Sequence, residues 1–358
     1  MGMRVEIEHA TGLWFDDGLP VRAASAVARF GDGWLIVQDD ATHAAWQRPG
    51  GIRPVRVLPA VGGHETFGSA EGTKHLKPDF EAACEVPGGV LLLGSGSSPA
   101  RMRACLLRPT TGGTAFTVTD LTDFYHAVAA ALGLAVDLLN LEGACVTGDR
   151  LRWFQRGNSA AGVPSASVDV DLSALLAALN APHPETPDTA APGPGAQEPD
   201  AHEQDAHEQD AQEPDAHEPD PQEPDPQEPD PQETGAQKGG GHGGPAAAVG
   251  GVRRYDLGTV AGVALAITDA VPLPDGSVLV SAAAEDTPNA IDDGPVVGAA
   301  VALLRDGAPA VVAALPRPDK VEGLAVRAVH DDGVSLLAVV DADDPAVPSS
   351  ALDLRLRW

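Results

Sequence analysis

The chain has 358 residues, 43% of them hydrophobic, with 40 glycines, 32 prolines and a formal net charge of −29. That length supports one large or two ordinary domains. An acidic balance of this size leaves no basic stripe for phosphates or anionic headgroups, so nucleic-acid and membrane partners are disfavoured on electrostatic grounds.

The first residues, MGMRVEIEHA, read as a strand and lack the basic-then-apolar pattern of a secretory signal. With no run of about 18 apolar residues anywhere, the expectation is a cytoplasmic protein. From there one local pattern recurs: a short apolar strand, a glycine-containing turn, a second apolar strand, then a polar cluster. Its copies are SAVARFGDGWLIVQDD from Ser25, EAACEVPGGVLLLGSGSS from Glu81, EGACVTGDRLRWFQRGN from Glu142, TDAVPLPDGSVLVSAAAED from Thr268 and EGLAVRAVHDDGVSLLAVVDADD from Glu322. The GDG, PDG and DDG triplets supply the tight turns that join antiparallel strands. Further strand-like runs follow each copy, among them ATHAAWQR and IRPVRVLP, RMRACLLRP and AFTVTDLT, and VVGAAVALL and AVVAALP. Between the second and third copies, DFYHAVAAALGL, from Asp123 to Leu134, reads as a short helix.

Between the third and fourth copies lies a segment of another kind. From Ala196 a pentapeptide of the AQEPD type repeats eight times without one large apolar residue, and positions 185–235 carry 17 Asp and Glu and no Lys or Arg. Such a sequence cannot bury enough surface to offset its ordering entropy. It is expected to be a disordered spacer over 185–250, dividing one propeller into parts at 1–184 and 251–358. His202, His207 and His217 within it are read as solvated positions of the repeat and not as a metal-binding tract.

Taking Ser25, Glu81, Glu142, Asp269 and Glu322 as equivalent, the spacings are 56, 61, 127 and 53 residues. Without the insert the third becomes about 62, and from Glu322 through the C-terminus and on to Ser25 is again 61. A pattern that closes on itself points to a β-propeller of five blades, all-β, with six blades as the alternative. A two-sheet sandwich would also give many short strands, but not the closing arithmetic. The last copy has only three candidate strands, so residues 3 to 9 are expected to pair as the outer strand of the last blade and leave no open edge. ASVDVDL and SALLAALN precede the insert and VRRYDLG follows it, so the insert is expected to leave one blade before its outer strand. A closed ring of this kind predicts a monomer.

In a propeller the start of each blade's first strand and the end of its second share one face near the axis. This brings Glu81, Glu142, Asp269 and Glu322 to the channel mouth. Asp39, Asp40, Ser97, Ser98, Arg156, Asn158, Glu285, Asp286, Asp341 and Asp343 arrive from the second strands. Lys74, Lys77 and Lys320 arrive from the entry segments, each within reach of a glutamate. Carboxylates held this close persist only with compensation. One solution is Ca²⁺ held by Glu81, Glu142 and Glu322. A second is an ion-pair ring with Lys77, Lys320 and Arg156 that receives a small polar or anionic ligand. A third is that the acids bond backbone amides of the neighbouring blade and hold blades in register.

KPDFEAACEVPGGVLLLGSGSS and KVEGLAVRAVHDDGVSLLAVVDAD resemble bacterial propellers grouped with the phytase-like, esterase-like and SdiA-regulated proteins. The ordered chain as a whole resembles an actinobacterial propeller family of unknown function. The phytase-like resemblance implies phosphoester or ester hydrolysis with calcium at the channel mouth. Only Lys77, Glu81, Glu142, Lys320 and Glu322 match its pattern and carry that expectation. The missing export signal departs from it.

Other constellations are absent from the sequence. GSGSS at 94–98 leads into a strand, not a helix, so it is neither a nucleophile elbow nor a phosphate loop. There is no HExxH and no EF-hand loop. Among the scattered histidines His75 alone stands near the candidate acids. Cys84, Cys105 and Cys145 form no CxxC pair and read as small buried hydrophobes. The readings left open are a ligand-binding or scaffold propeller, a calcium-assisted phosphoester or ester hydrolase, and a sugar- or quinone-type propeller enzyme.

Overall fold

The computed structural model describes residues 2–158, 160–181, 244–287, 294–342, 344 and 346–358. The Pro/Glu/Asp/Gln repeat read as a spacer, with His202, His207 and His217, lies outside the described residues, as does Asp343.

The chain opens with β1 (Arg4–Gly12). Blade 1 is β2 (Ala24–Phe30), β3 (Gly33–Gln38), β4 (His43–Arg48) and β5 (Gly51–Arg56). Blade 2 is β6 (Phe80–Val86), β7 (Gly89–Gly94), β8 (Arg103–Thr110) and β9 (Gly113–Asp120), followed by helix α1 (Thr122–Leu132). Blade 3 is β10 (Leu141–Thr147), β11 (Arg150–Gln155) and β12 (Ser165–Asp171), then α2 (Leu172–Leu179), α3 (Pro245–Ala248) and its outer strand β13 (Val249–Tyr255). A small hairpin, β14 (Thr259–Val260) and β15 (Val263–Ala264), leads to blade 4, β16 (Ala266–Pro272), β17 (Val278–Glu285), β18 (Val296–Arg305) and β19 (Ala308–Ala314). Blade 5 is β20 (Val321–His330), β21 (Gly333–Val340) and β22 (Ser350–Arg357), completed by β1.

Among the described residues these strands form five four-stranded antiparallel sheets, in four of which neighbouring strands follow in chain order, and the inner strands β2, β6, β10, β16 and β20 pack in sequence around a ring that β20 closes against β2. The fold is a five-bladed β-propeller. Every inner sheet face meets another blade, and one buried apolar cluster fills each of the five gaps between blades. Burial on both faces explains why strands such as LLL of β7 and VLVSAAA of β17 read as continuous apolar runs and do not alternate.

The ring closes as the sequence arithmetic requires, with Arg4 opposite Arg357 and Gly12 opposite Ser350. Met3 and Val5 join the core between blades 4 and 5. The insert leaves blade 3 after α2 and the chain returns as β13, before the outer strand is made. After α2 the next element among the described residues is α3. The apolar PAAAV stretch after the glycines forms α3, which packs on α1, and Val249 begins β13.

The helix read at Asp123 to Leu134 runs over Thr122–Leu132 and stops at Gly133, whose φ of 72° ends it in the left-handed region. Its Tyr125 explains one glycine of GSGSS. A Cβ on Gly96 would stand 2.4 Å from the Tyr125 ring, and the Tyr125 hydroxyl donates to the Gly94 carbonyl at 2.8 Å.

Candidate functional site

Each inner strand carries a bulge near its start. The ladder slips between Ala24 and Ala26, Phe80 and Ala82, Leu141 and Ala144, Ile267 and Asp269, and Val321 and Gly323. The extra residues are thus Ser25, Glu81, Glu142, Thr268 and Glu322. A bulge bends its strand and re-aims its side chain. In blades 1 and 4 the short hydroxyls reach across to the next blade: Ser25 Oγ donates to the Phe80 carbonyl at 2.6 Å, and Thr268 Oγ1 to the Val321 carbonyl at 2.5 Å. In blades 2, 3 and 5 the same position holds a glutamate that lines the channel mouth.

The equivalence read from the sequence is therefore off by one residue in blade 4. Thr268, not Asp269, matches the three glutamates, and Asp269 does not line the mouth. Its Oδ2 accepts the Leu324 amide of blade 5 at 2.6 Å, and burial pushes its carboxyl well above the usual carboxylate range. Asp269 fits the third solution above, an acid that ties one blade to the next.

The mouth is a cavity of about 1240 Å³ walled by strand starts, strand ends and the crossovers that follow β5, β9 and β13. Lys77, Glu81, Glu142, Arg156, Lys320 and Glu322 all line it, with Asp39, Asp40, Ser97, Asn158, Glu285 and Asp341. Ser98, Asp286 and the exposed His75 do not.

The charged groups form two clusters. In the first, Lys77 Nζ lies 2.5 Å from Asp39 Oδ2 and 3.2 Å from Asp79 Oδ1, and Arg101 meets Asp79 at 3.0 Å. Ser95 Oγ donates to Asp79 at 2.5 Å. Lys77 thus pairs with Asp39 and Asp79, not with the Glu81 it was expected to meet. Glu81 makes no hydrogen bond or ion pair among the described residues. In the second cluster Arg156 bridges Glu142, at 2.8 Å, and Glu285, and Lys320 pairs with Glu322 at 2.9 Å.

Burial raises Asp39, Glu81 and Glu142. Asp39 is pushed up to about 7 by burial, with Lys77 opposing and Asp79 adding. Glu142 is pushed up to about 7 by burial against the pull of Arg156. Glu81 lies well above the ordinary range, through burial and the charges of Asp39 and Asp79. Burial acts to lower Lys77, but Asp39, Asp79 and Glu81 outweigh it and keep its ammonium charged.

The metal trio read from the sequence, Glu81, Glu142 and Glu322, is not the group the fold gathers. Among the described residues, the carboxylates with ligand atoms within 4.8 Å of one another are Asp39, Asp79 and Glu81. Glu142 and Glu322 are each engaged by a base of the second cluster. Asp79 and Arg101 were missed in the sequence. Asp79 sits outside the strand pattern, at a left-handed φ of 57° just before β6, and Arg101 lies in the short 3₁₀ turn Pro99–Arg101 after the repeat copy ends.

A five-bladed propeller with a deep, charged channel mouth is the class that fold and site define. The family of unknown function DUF6929 matches residues 20–211, and the chain belongs to that family. A second family of unknown function, DUF6910, matches residues 230–345. No curated protein matches the chain. A solved protein of unknown function from Dyadobacter fermentans aligns over 99% of this chain and 99% of its own, at 11% identity and a TM-score of 0.36. Among the described residues no helix is long and apolar enough to cross a membrane.

Proposed function

We propose that this propeller is a ligand-binding module whose site is the acidic channel mouth, with a calcium ion seated by Asp39, Asp79 and Glu81. The observation that carries this reading is the set of three carboxylates from two blades, with ligand atoms within 4.8 Å of one another, on the wall of a large cavity. Ca²⁺ takes six to eight oxygen ligands, and Asp39 Oδ1 has no hydrogen-bond partner. Burial and mutual repulsion raise Asp39 and Glu81, and a hard cation would take the place of the protons they otherwise keep. The free, buried Cys84, Cys105 and Cys145 agree with a reducing, cytoplasmic setting.

Calcium titration of chelator-stripped protein, followed by thermal unfolding, tests this. Binding at about 100 times Kd stabilises by ~2.7 kcal/mol, so the midpoint rises, and Asp39→Asn or Glu81→Gln removes the rise. An unchanged midpoint, or a rise that both variants retain, rejects the seat.

The second reading is a calcium-assisted phosphoester hydrolase of phytase-like type. Lys77, Arg101, Arg156 and Lys320 favour it, since four cations in the cavity that holds the carboxylate cluster would stabilise charge on a transferring phosphoryl group. Calcium-dependent release of nitrophenol from p-nitrophenyl phosphate, lost in Glu81→Gln, would establish turnover. No release by calcium-loaded protein leaves the binding module.

A further inference from the structure

The calcium seat occupies one part of a much larger space. Twelve acids and six bases line the mouth, which at about 1240 Å³ far exceeds the coordination sphere of one ion. Its aromatic wall residues, Phe67 and Tyr255, are 4% and 5% exposed, so neither offers a ring face to a base or sugar. The space therefore suits a ligand that is extended, hydrophilic and positively charged.

Where the charge of such a ligand would sit follows from the bulges. Glu81 and Glu142 hold the same bulge position in consecutive blades, on inner strands that pack side by side, and the charge of Glu142 bears on Glu81. The bases nearest them leave part of this carboxylate pair unmet. Lys77 faces Asp39 and Asp79, and Arg156 meets Glu142 through Oε1 and reaches on to Glu285. Glu142, 4% exposed, keeps Oε2 without a hydrogen bond, and Glu81 makes no hydrogen bond or ion pair among the described residues. A buried carboxylate oxygen left without a partner forfeits the hydration it has in the unfolded chain. A primary ammonium, with three donors on one compact charge, satisfies two carboxylates at once.

We propose that the mouth binds an aliphatic polyamine, one ammonium of which sits between Glu81 and Glu142 Oε2, with the remainder of the chain running out toward the rim acids Glu71, Asp137 and Asp256. This rests on the reading of the mouth as a ligand site for cations and adds the class of organic ligand. Calcium and the amine share Glu81, so each weakens binding of the other.

The test is calorimetric titration of the full chain, stripped of metal, with spermidine, and with a neutral diol of similar length as the uncharged control. One-site binding of spermidine and none of the diol is expected, with affinity lowered at least tenfold in Glu142→Gln, about 1.4 kcal/mol. Glu81→Gln gives the same loss and stands in if the first variant does not fold. The 17 acids at positions 185–235 would also condense polyamines. Binding that neither variant weakens is therefore condensation on that segment and overturns the proposal. No spermidine binding, with the calcium-induced rise in unfolding midpoint intact in the wild-type chain, overturns this inference and leaves the calcium seat. Absence of both overturns the two together.

Discussion

Several carboxyls at the mouth, Asp39, Glu81 and Glu142 among them, keep their protons at pH values where exposed ones have lost them. Asp39 and Glu142 titrate near 3.8 and 4.5 in an unfolded chain and are each pushed up to about 7 when folded. The groups that face them are Lys77, Asp79 and Asp40 for Asp39, and Arg156, Glu322 and Lys320 for Glu142. The folded chain thus holds protons that the unfolded chain releases. The stability this contributes is full below about pH 4 and is lost as pH rises through about 7. Without metal, these groups should lower the unfolding midpoint between pH 5 and 8, by about 2–5 °C for Glu142 taken alone. Glu142→Gln cannot ionise and should flatten that part of the slope. A variant whose midpoint follows the wild-type pH dependence would show that Glu142 is already charged in the folded state. Side chains that arrive from strand starts and ends were legible in the sequence, since a propeller sends both to one face. Asp79 and Arg101 were not, because their placement depends on a left-handed residue and a 3₁₀ turn that no periodicity marks.

At the scale of a strand, the bulge explains what the repeat both revealed and concealed. Strand order and turns followed from the apolar runs and glycine triplets, but TDAV was aligned on its carboxylate, and the bulge places Thr268 where the other blades carry Ser or Glu. The position after the bulge is Ala26, Ala82, Gly143, Asp269 and Gly323, and its side meets the next inner strand. A Cβ on Gly143 would stand 2.9 Å from the Asp269–Ala270 backbone, and one on Gly323 2.7 Å from the Val27 nitrogen. Asp269 tolerates this crowding by accepting the Leu324 amide. Gly143→Ala should therefore destabilise by about 1–3 kcal/mol through overpacking, whereas Gly112→Ala, with nothing within 4 Å, should be near neutral. Ser25→Ala and Thr268→Ala each leave a neighbouring carbonyl without its hydroxyl, at about 1 kcal/mol apiece. Denaturant unfolding measures all four, and a Gly143→Ala curve that overlays Gly112→Ala would mean the inner strands are not packed this closely.

The closure of the ring was readable in the sequence because every copy of the repeat has nearly one length once the insert is set aside, and the remainder from the two chain ends supplies the last unit. The short α3 was not, since glycine and alanine composition does not distinguish a linker from a single helical turn. Closure itself joins residues more than 340 positions apart: Arg357 pairs with Glu6 across the β1–β22 ladder at 3.0 Å, and Met3 and Val5 are buried in the same blade. Without β1, β22 becomes an open edge with Leu352, Leu354 and Leu356 beneath it. Deleting residues 2–12 should lower the unfolding midpoint by about 10 °C or more and expose the chain to self-association. A synthetic peptide of that sequence, added in excess, should dock on the vacant edge and restore much of the loss, since strand addition supplies the missing main-chain bonds and the two apolar side chains. A peptide with Met3 and Val5 replaced by serine separates the contributions: it offers the same backbone but no core contact, and should restore less. If the truncated chain melts with the full-length one, or the peptide has no effect, then β1 is an attachment to a ring held together by its five contacts between blades and not the element that closes it.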